Sequence, residues 1–151
     1  MGPSITFDDA HWPLLISRFQ GTATDAEYEA YLARATSYLQ RGELYVTVTD
    51  MSQYPMPPAA HRQRQAEWLK EHERRMCEHL LGCALVVTSP LVRLALSAVF
   101  HIQPMPTPYI IVPDMASGAK WAADRLENAG LIHAAGRVRD HFALQSGRHS
   151  E

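Results

Sequence analysis

Cysteine is scarce in this chain: Cys77 and Cys83 are the only two in 151 residues, too few for the disulfide framework of a small secreted domain. They fall on an expected helix end and the strand after it, where buried thiols of a reducing compartment fit best. Excess charge is missing as well. The formal net charge is −2 with histidines neutral, so no electrostatic footprint points to nucleic acid. Long apolar runs are absent, since Gly82, Ser89-Pro90 and Arg93 interrupt the most hydrophobic stretches, and a spanning helix needs about 20 apolar residues. The first residues lack a basic segment followed by an apolar core, so no signal peptide is expected. A cytoplasmic location follows as the expectation. Two catalytic signatures are also missing, the phosphate loop G-x-x-x-x-G-K-[ST] and the nucleophile elbow G-x-S-x-G. The eight histidines are scattered, so spacing brings no Ser-His-Asp group together. Cys77, His79 and Cys83, with His72 further back, match no tight zinc spacing. Neither a metal nor a cofactor is expected.

What is present is a globular composition, 46% hydrophobic and 20% charged, in a length that suits one domain. The organising stretch is Gly82 to Thr88, a short β-branched apolar run that fits an inner strand covered on both faces. Ser89-Pro90 then opens a helix, the hydroxyl capping an orphan amide and the proline giving up a donor that had no partner. Upstream, Ser4-Phe7 and Pro13-Phe19 flank polar Asp8-His11 and predict an antiparallel hairpin. Thr24 and Glu27 form a capping box before a helix that Gly42 stops. Glu43-Asp50 predicts a strand ending at Asp50, and the prolines at 55, 57 and 58 make the following passage a loop.

Ala59 to Leu80 predicts a long helix with a thin inward stripe of Ala66, Leu69, Glu73, Met76 and Leu80. The stiff Gln103-Pro108 connector leads to a buried strand at Tyr109-Val112. Asp114 or Ser117 caps the next helix, which ends at Gly130. Periodicity fades beyond, so the expected division is a domain over 1–130 and a partly ordered tail over 131–151. Strands separated by helices after an initial hairpin define the class as α/β: a mixed sheet of about five strands, the later ones parallel with crossover helices.

The Thr47-Val48-Thr49-Asp50 strand end, Cys77 through Leu81-Gly82-Cys83-Ala84-Leu85-Val86, Ser89-Pro90-Leu91-Val92-Arg93, and Ala119 with Trp121 resemble the STAS fold family. The likeness is to the bacterial branch labelled SpoIIAA-like or STAS/SEC14, and it spans most of Ile5 to Ala129. It implies a non-catalytic regulatory or adaptor module acting through protein contacts. The SEC14 side of the label implies an apolar ligand or lipid instead. In antagonists of the anti-sigma type, an aspartate at this strand end precedes hydroxyl residues and a glycine, one hydroxyl being phosphorylated. This chain reads Asp50-Met51-Ser52-Gln53, which lacks the glycine and the second hydroxyl and leaves Ser52 as the nearest counterpart.

The candidate partner- or ligand-binding residues are therefore Asp50, Ser52, Ser89, Arg93, Leu94, Phe100 and Met105. Asp50 and Ser89 fall on the carboxyl edge of the parallel strands, where ligands of open α/β sheets bind. Arg93, one turn past a helix start, adds a charge to the free amides there; the bland alternative is a cap and a surface ion pair. The helix from Leu91 to Phe100 is apolar on nearly every side, more than a helix covering one sheet face needs. Its excess area meets either a second copy of the chain, a two-fold dimer being the commonest solution, or an apolar ligand held with the help of Met105. The rest of the chain covering it is the third possibility. An enzyme is the least expected class.

Overall fold

The computed structural model describes residues 4–142. Its elements run β1 (Ile5–His11), β2 (Leu14–Gln20), α1 (Asp25–Leu39), β3 (Tyr45–Gln53), α2 (Ala59–His79), β4 (Leu80–Val86), α3 (Pro90–Ile102), β5 (Tyr109–Val112), α4 (Met115–Asn128) and α5 (Ile132–His141). The class is α/β, with a five-stranded sheet in the order β1-β2-β3-β4-β5. β1 pairs antiparallel with β2, and every later neighbour is parallel.

Because the strand order never turns back, right-handed crossovers deliver successive helices to one and the same face. α1, α2 and α3 cover that face through Tyr28, Leu32, Trp68, Leu69, Val92 and Val99. The chain reaches the other face only after β5, where α4 and α5 pack Ala119, Ala122, Leu126, Ala135 and Val138 on the strands. Alternation along β3 sorts its residues accordingly, Val46 and Val48 toward α4, Tyr45 and Met51 toward α1 to α3. The two layers differ in reach. Near α4 a Cβ added at Gly118 would lie 3.1 Å from Val48 Cγ1, so small residues let this helix sit close on the sheet.

Local chemistry explains the boundaries. Thr24 and Glu27 close their capping box in both directions, at 3.1 and 2.8 Å. Ser89 Oγ accepts from the Val92 amide at 3.3 Å. Of the two caps considered for α4, Asp114 is the one, taking the Ser117 amide at 2.7 Å.

Four expectations are corrected. The polar Asp8-His11 passage is strand with a register shift, eased by the Ala10 amide donating to Asp8 Oδ1, and the turn falls at Trp12-Pro13. β3 runs past Asp50 to Gln53, because Asp50 and Gln53 still pair with Arg18 and Gln20 of β2. Leu80 leaves the helix to begin β4, which ends at Val86, so three residues separate it from α3. After Gly130, whose φ of 88° suits a residue without a side chain, the chain forms α5 with Ala134, Ala135 and Val138 buried. Ile132–His141, within the segment expected as a partly ordered tail, is thus helical and packed. Residues 143–151 of the expected tail lie outside the described residues.

Candidate functional site

At the centre of the face that carries α1 to α3, the strands present small polar side chains instead of large apolar ones. Ser17 of β2 pairs in register with Thr49 of β3, and Thr47 of β3 with Cys83 of β4. These four side chains fill little of the layer, while the helices above bring long residues that keep their backbones away. Between them lies a cavity of about 130 Å³. Its floor includes Ser17, Thr47, Thr49 and Cys83; its helical walls include Tyr28, Tyr31, Trp68 and Leu96.

The polar floor is partly self-satisfied. Ser17 Oγ donates to Thr49 Oγ1 at 3.1 Å in a buried pair. Burial pushes the Cys83 thiol up, with the Thr47 and Thr49 hydroxyls pulling the other way, so the sulfur faces the cavity as a thiol. Burial likewise raises the phenols of Tyr28, Tyr31, Tyr45 and Tyr54, which keeps each a neutral hydroxyl at physiological pH. Trp68 is fixed on the wall by its indole N–H, which donates to Thr36 Oγ1 at 3.0 Å.

The two ends of the cavity differ in chemistry. Met76, Leu80, Ala95, Val99, Phe100 and Met105 make one end apolar. The other is built by the β3–α2 loop and the first turns of α2: Tyr54, Pro57, His61, Arg62 and Gln65. His61 is only 4% exposed. Its ring stacks on Tyr28 at 4.4 Å between centroids, and its Nε2 lies 2.9 Å from Asp25 Oδ1. A carboxylate there can only accept, so Nε2 carries the hydrogen and Nδ1 is the atom left for another partner. Neither His61 Nδ1 nor Tyr54 Oη, both buried, has a hydrogen-bond partner among the described residues. Such groups usually are paired, and leaving one unpaired costs free energy.

The residues singled out from sequence divide. Phe100 and Met105 stand on the cavity wall. Leu94 is on the outward side of α3 at 65% exposure, next to Leu91 at 60% on the same helix. Asp50 is engaged locally: Oδ1 accepts from the Ser52 hydroxyl at 2.6 Å and the Ser52 amide at 3.0 Å, and Oδ2 lies 3.6 Å from Arg18 Nε. Ser52 is therefore a half-buried strand residue whose hydroxyl already donates to a carboxylate. Ser89 acts as the cap of α3, and Arg93 is exposed one turn along. Cys77 is exposed, with its thiol donating to the Pro106 carbonyl at 3.2 Å, whereas Cys83 is buried. Among the described residues no group of three His, Cys, Asp or Glu side chains is placed to hold a metal ion, and no helix is long and apolar enough to cross a membrane.

Sequence reasoning missed Tyr54, His61, Arg62 and Gln65 together with the hydroxyl floor. The available signal was Ser17, Thr47, Thr49 and Cys83 inside otherwise apolar strands. Their meeting depends on strand order and register, which one sequence does not display. No protein-family model matches the chain, and no curated protein does.

Proposed function

We propose that the protein binds a small, mostly apolar organic molecule between its sheet and the α1-α2-α3 layer, as a carrier or sensor module of the STAS/SEC14 kind. The observation that carries this reading is the cavity, about 130 Å³ with an apolar end formed by α3 and Met105. Engineered cavities of about 150 Å³ accept a benzene molecule, so the space suits one ring or a short alkyl chain. The arrangement accounts for the excess apolar surface of α3 on its inner side, where Ala95, Leu96, Val99 and Phe100 reach the cavity. Purification from the native host followed by organic extraction and mass spectrometry is expected to recover a stoichiometric small molecule. Ala95→Phe is expected to abolish its retention while keeping the melting temperature, because the added ring enters existing space instead of overpacking a dense core. Retention of the ligand by a folded Ala95→Phe protein would sink the proposal.

A second reading, an adaptor or self-associating regulatory module, is favoured by the outer side of the same helix. Leu91, Leu94 and Ile102 are 60 to 65% exposed and recur at helical spacing. They lie on the helix whose Phe100 packs on Tyr109 of the edge strand β5, with ring centroids 4.8 Å apart. An apolar helix face beside an unpaired strand edge fits a second copy of the chain across a two-fold axis. Light scattering at micromolar concentration is expected to give a dimer, and Leu94→Glu a folded monomer. A monomeric unmodified protein would remove this reading and leave the cavity reading intact.

A further inference from the structure

We infer that the molecule held in the cavity is a small carboxylic acid, its hydrocarbon body against the Met76–Met105 end and its carboxylate at the Tyr54–Gln65 end. The inference rests on the ligand-binding reading above and specifies its chemistry.

The polar end is rich in donors. Arg62 lines it, and its one described side-chain hydrogen bond runs from Nη1 to the neutral Pro57 carbonyl at 2.6 Å. Arg64, two residues on, is by contrast neutralised outside the cavity by Glu29 and Glu71, at 2.8 and 3.4 Å. A half-buried guanidinium facing no carboxylate among the described residues is the cation to which an anionic ligand would pair, in the fork geometry that suits carboxylates. Gln65 accepts the Tyr28 hydroxyl on its Oε1 at 2.5 Å, which commits the acceptor of that amide and leaves its N–H groups to donate. Tyr54 adds a hydroxyl hydrogen with no partner of its own. His61 turns Nε2 to Asp25, whose side chain is 91% exposed, so that negative charge sits on the solvent side of the imidazole.

The backbone favours the same sign. α2 is 21 residues long and begins at Pro58 with no side-chain cap and no acidic residue in its first turn. Its positive end is therefore uncompensated by its own sequence. The unpartnered Tyr54 hydroxyl, on a residue 5% exposed, supplies the independent sign that something else is to be bound at this end, while the one free acceptor there is His61 Nδ1. Donors outnumbering acceptors select a ligand that brings acceptors. One guanidinium suits a monoanion, and the opposite end offers hydrocarbon contacts alone.

The test titrates pentanoate, pentan-1-ol and pentyl phosphate into delipidated full-length protein, read by tryptophan fluorescence and by calorimetry. Pentanoate is expected to bind at least about tenfold more tightly than pentan-1-ol, the size of one charge-assisted hydrogen bond, and more tightly than pentyl phosphate. Arg62→Gln is expected to erase the pentanoate preference, bringing the acid down to the affinity of the alcohol. Tyr54→Phe, which keeps the ring, is the second variant and is expected to weaken pentanoate more than pentan-1-ol. Equal binding of acid and alcohol, or tighter binding of the phosphate, would overturn the carboxylate assignment while the cavity reading stood. Binding of none of the three, with no displacement of an apolar dye, would defeat both.

Discussion

Tyr54→Phe separates a cavity that serves a ligand from one that is merely a packing fault. The Tyr54 ring is held by Phe19, with centroids 4.9 Å apart, and the residue is 5% exposed; phenylalanine keeps that packing and deletes one atom. The deleted hydroxyl has no hydrogen-bond partner among the described residues. A buried polar group left unsatisfied costs about 1–3 kcal/mol, so its removal is expected to raise the stability of the ligand-free protein by about 1 kcal/mol. For a chain of this size that is a melting temperature higher by roughly 2–4 °C. The urea midpoint should move up with an unchanged slope, since the surface exposed on unfolding is the same. Affinity should move the opposite way, by about five- to tenfold for a ligand that accepts from the phenol, the net worth of one hydrogen bond. A variant more stable and less able to bind is the mark of a group retained for function. A melting temperature lowered by about 2 °C or more would refute the reasoning, because it would mean that the hydroxyl is satisfied in the ligand-free fold.

Other consequences concern the frame around the site. Val86→Asp is expected to unfold the domain: Val86 is 2% exposed in a strand covered on both faces, and an unpaired carboxylate there costs several kcal/mol; circular dichroism and melting read it directly. Val138→Asp is expected to detach α5 and lower the melting temperature markedly, since Val138 is 2% exposed against the α4 side of the sheet; an unchanged melt would mean that α5 contributes nothing to the domain. Asp114 has its carboxyl held below the usual range by the Ser117 backbone amide, so its cap is fully present above the unfolded carboxylate range and is lost as pH falls through the lowered folded value. In Asp114→Asn that part of the acid dependence should disappear from melting curves taken between neutral and strongly acidic pH.

Elements were legible in the sequence wherever one short-range rule decided them. Leu80–Val86 is apolar because both of its faces are covered, and the Thr24-Glu27 box and Ser89-Pro90 carry their hydrogen bonds within one turn. α5 escaped because its inward residues are Ala134, Ala135 and Val138, small groups that leave only a faint periodic signal, with Gly136 between them. The strand ends misread at Asp8-His11 and Asp50 are places where cross-strand pairing outlasts the apolar pattern. Of the site, α3 and Met105 could be anticipated from an excess of apolar surface. The polar end could not, because Tyr54 sits beside a proline-rich loop and His61 and Arg62 begin a helix that reads as solvent-facing.

Strand order decides where a crevice can open along this sheet. Ligands of open α/β sheets settle outside the carboxyl ends where the order reverses, since neighbouring helices then part to opposite faces and leave a crevice. Here β2 to β5 follow one another without reversal, so consecutive helices stay side by side and the edge has no such gap. Asp50, Ser52 and Ser89 are consumed there by turn and cap hydrogen bonds. Space opens instead where layer spacing and side-chain size disagree, over Ser17, Thr47, Thr49 and Cys83 beneath helices held off by Tyr28, Tyr31 and Trp68. On the opposite face, alanines and Gly118 let α4 descend to contact. One sheet thus carries on one face a close-contact layer over the fully buried Val46, Val48 and Leu126, and on the other a propped layer that leaves room. The unpaired Tyr54 and His61 lie in the propped layer, away from that close contact.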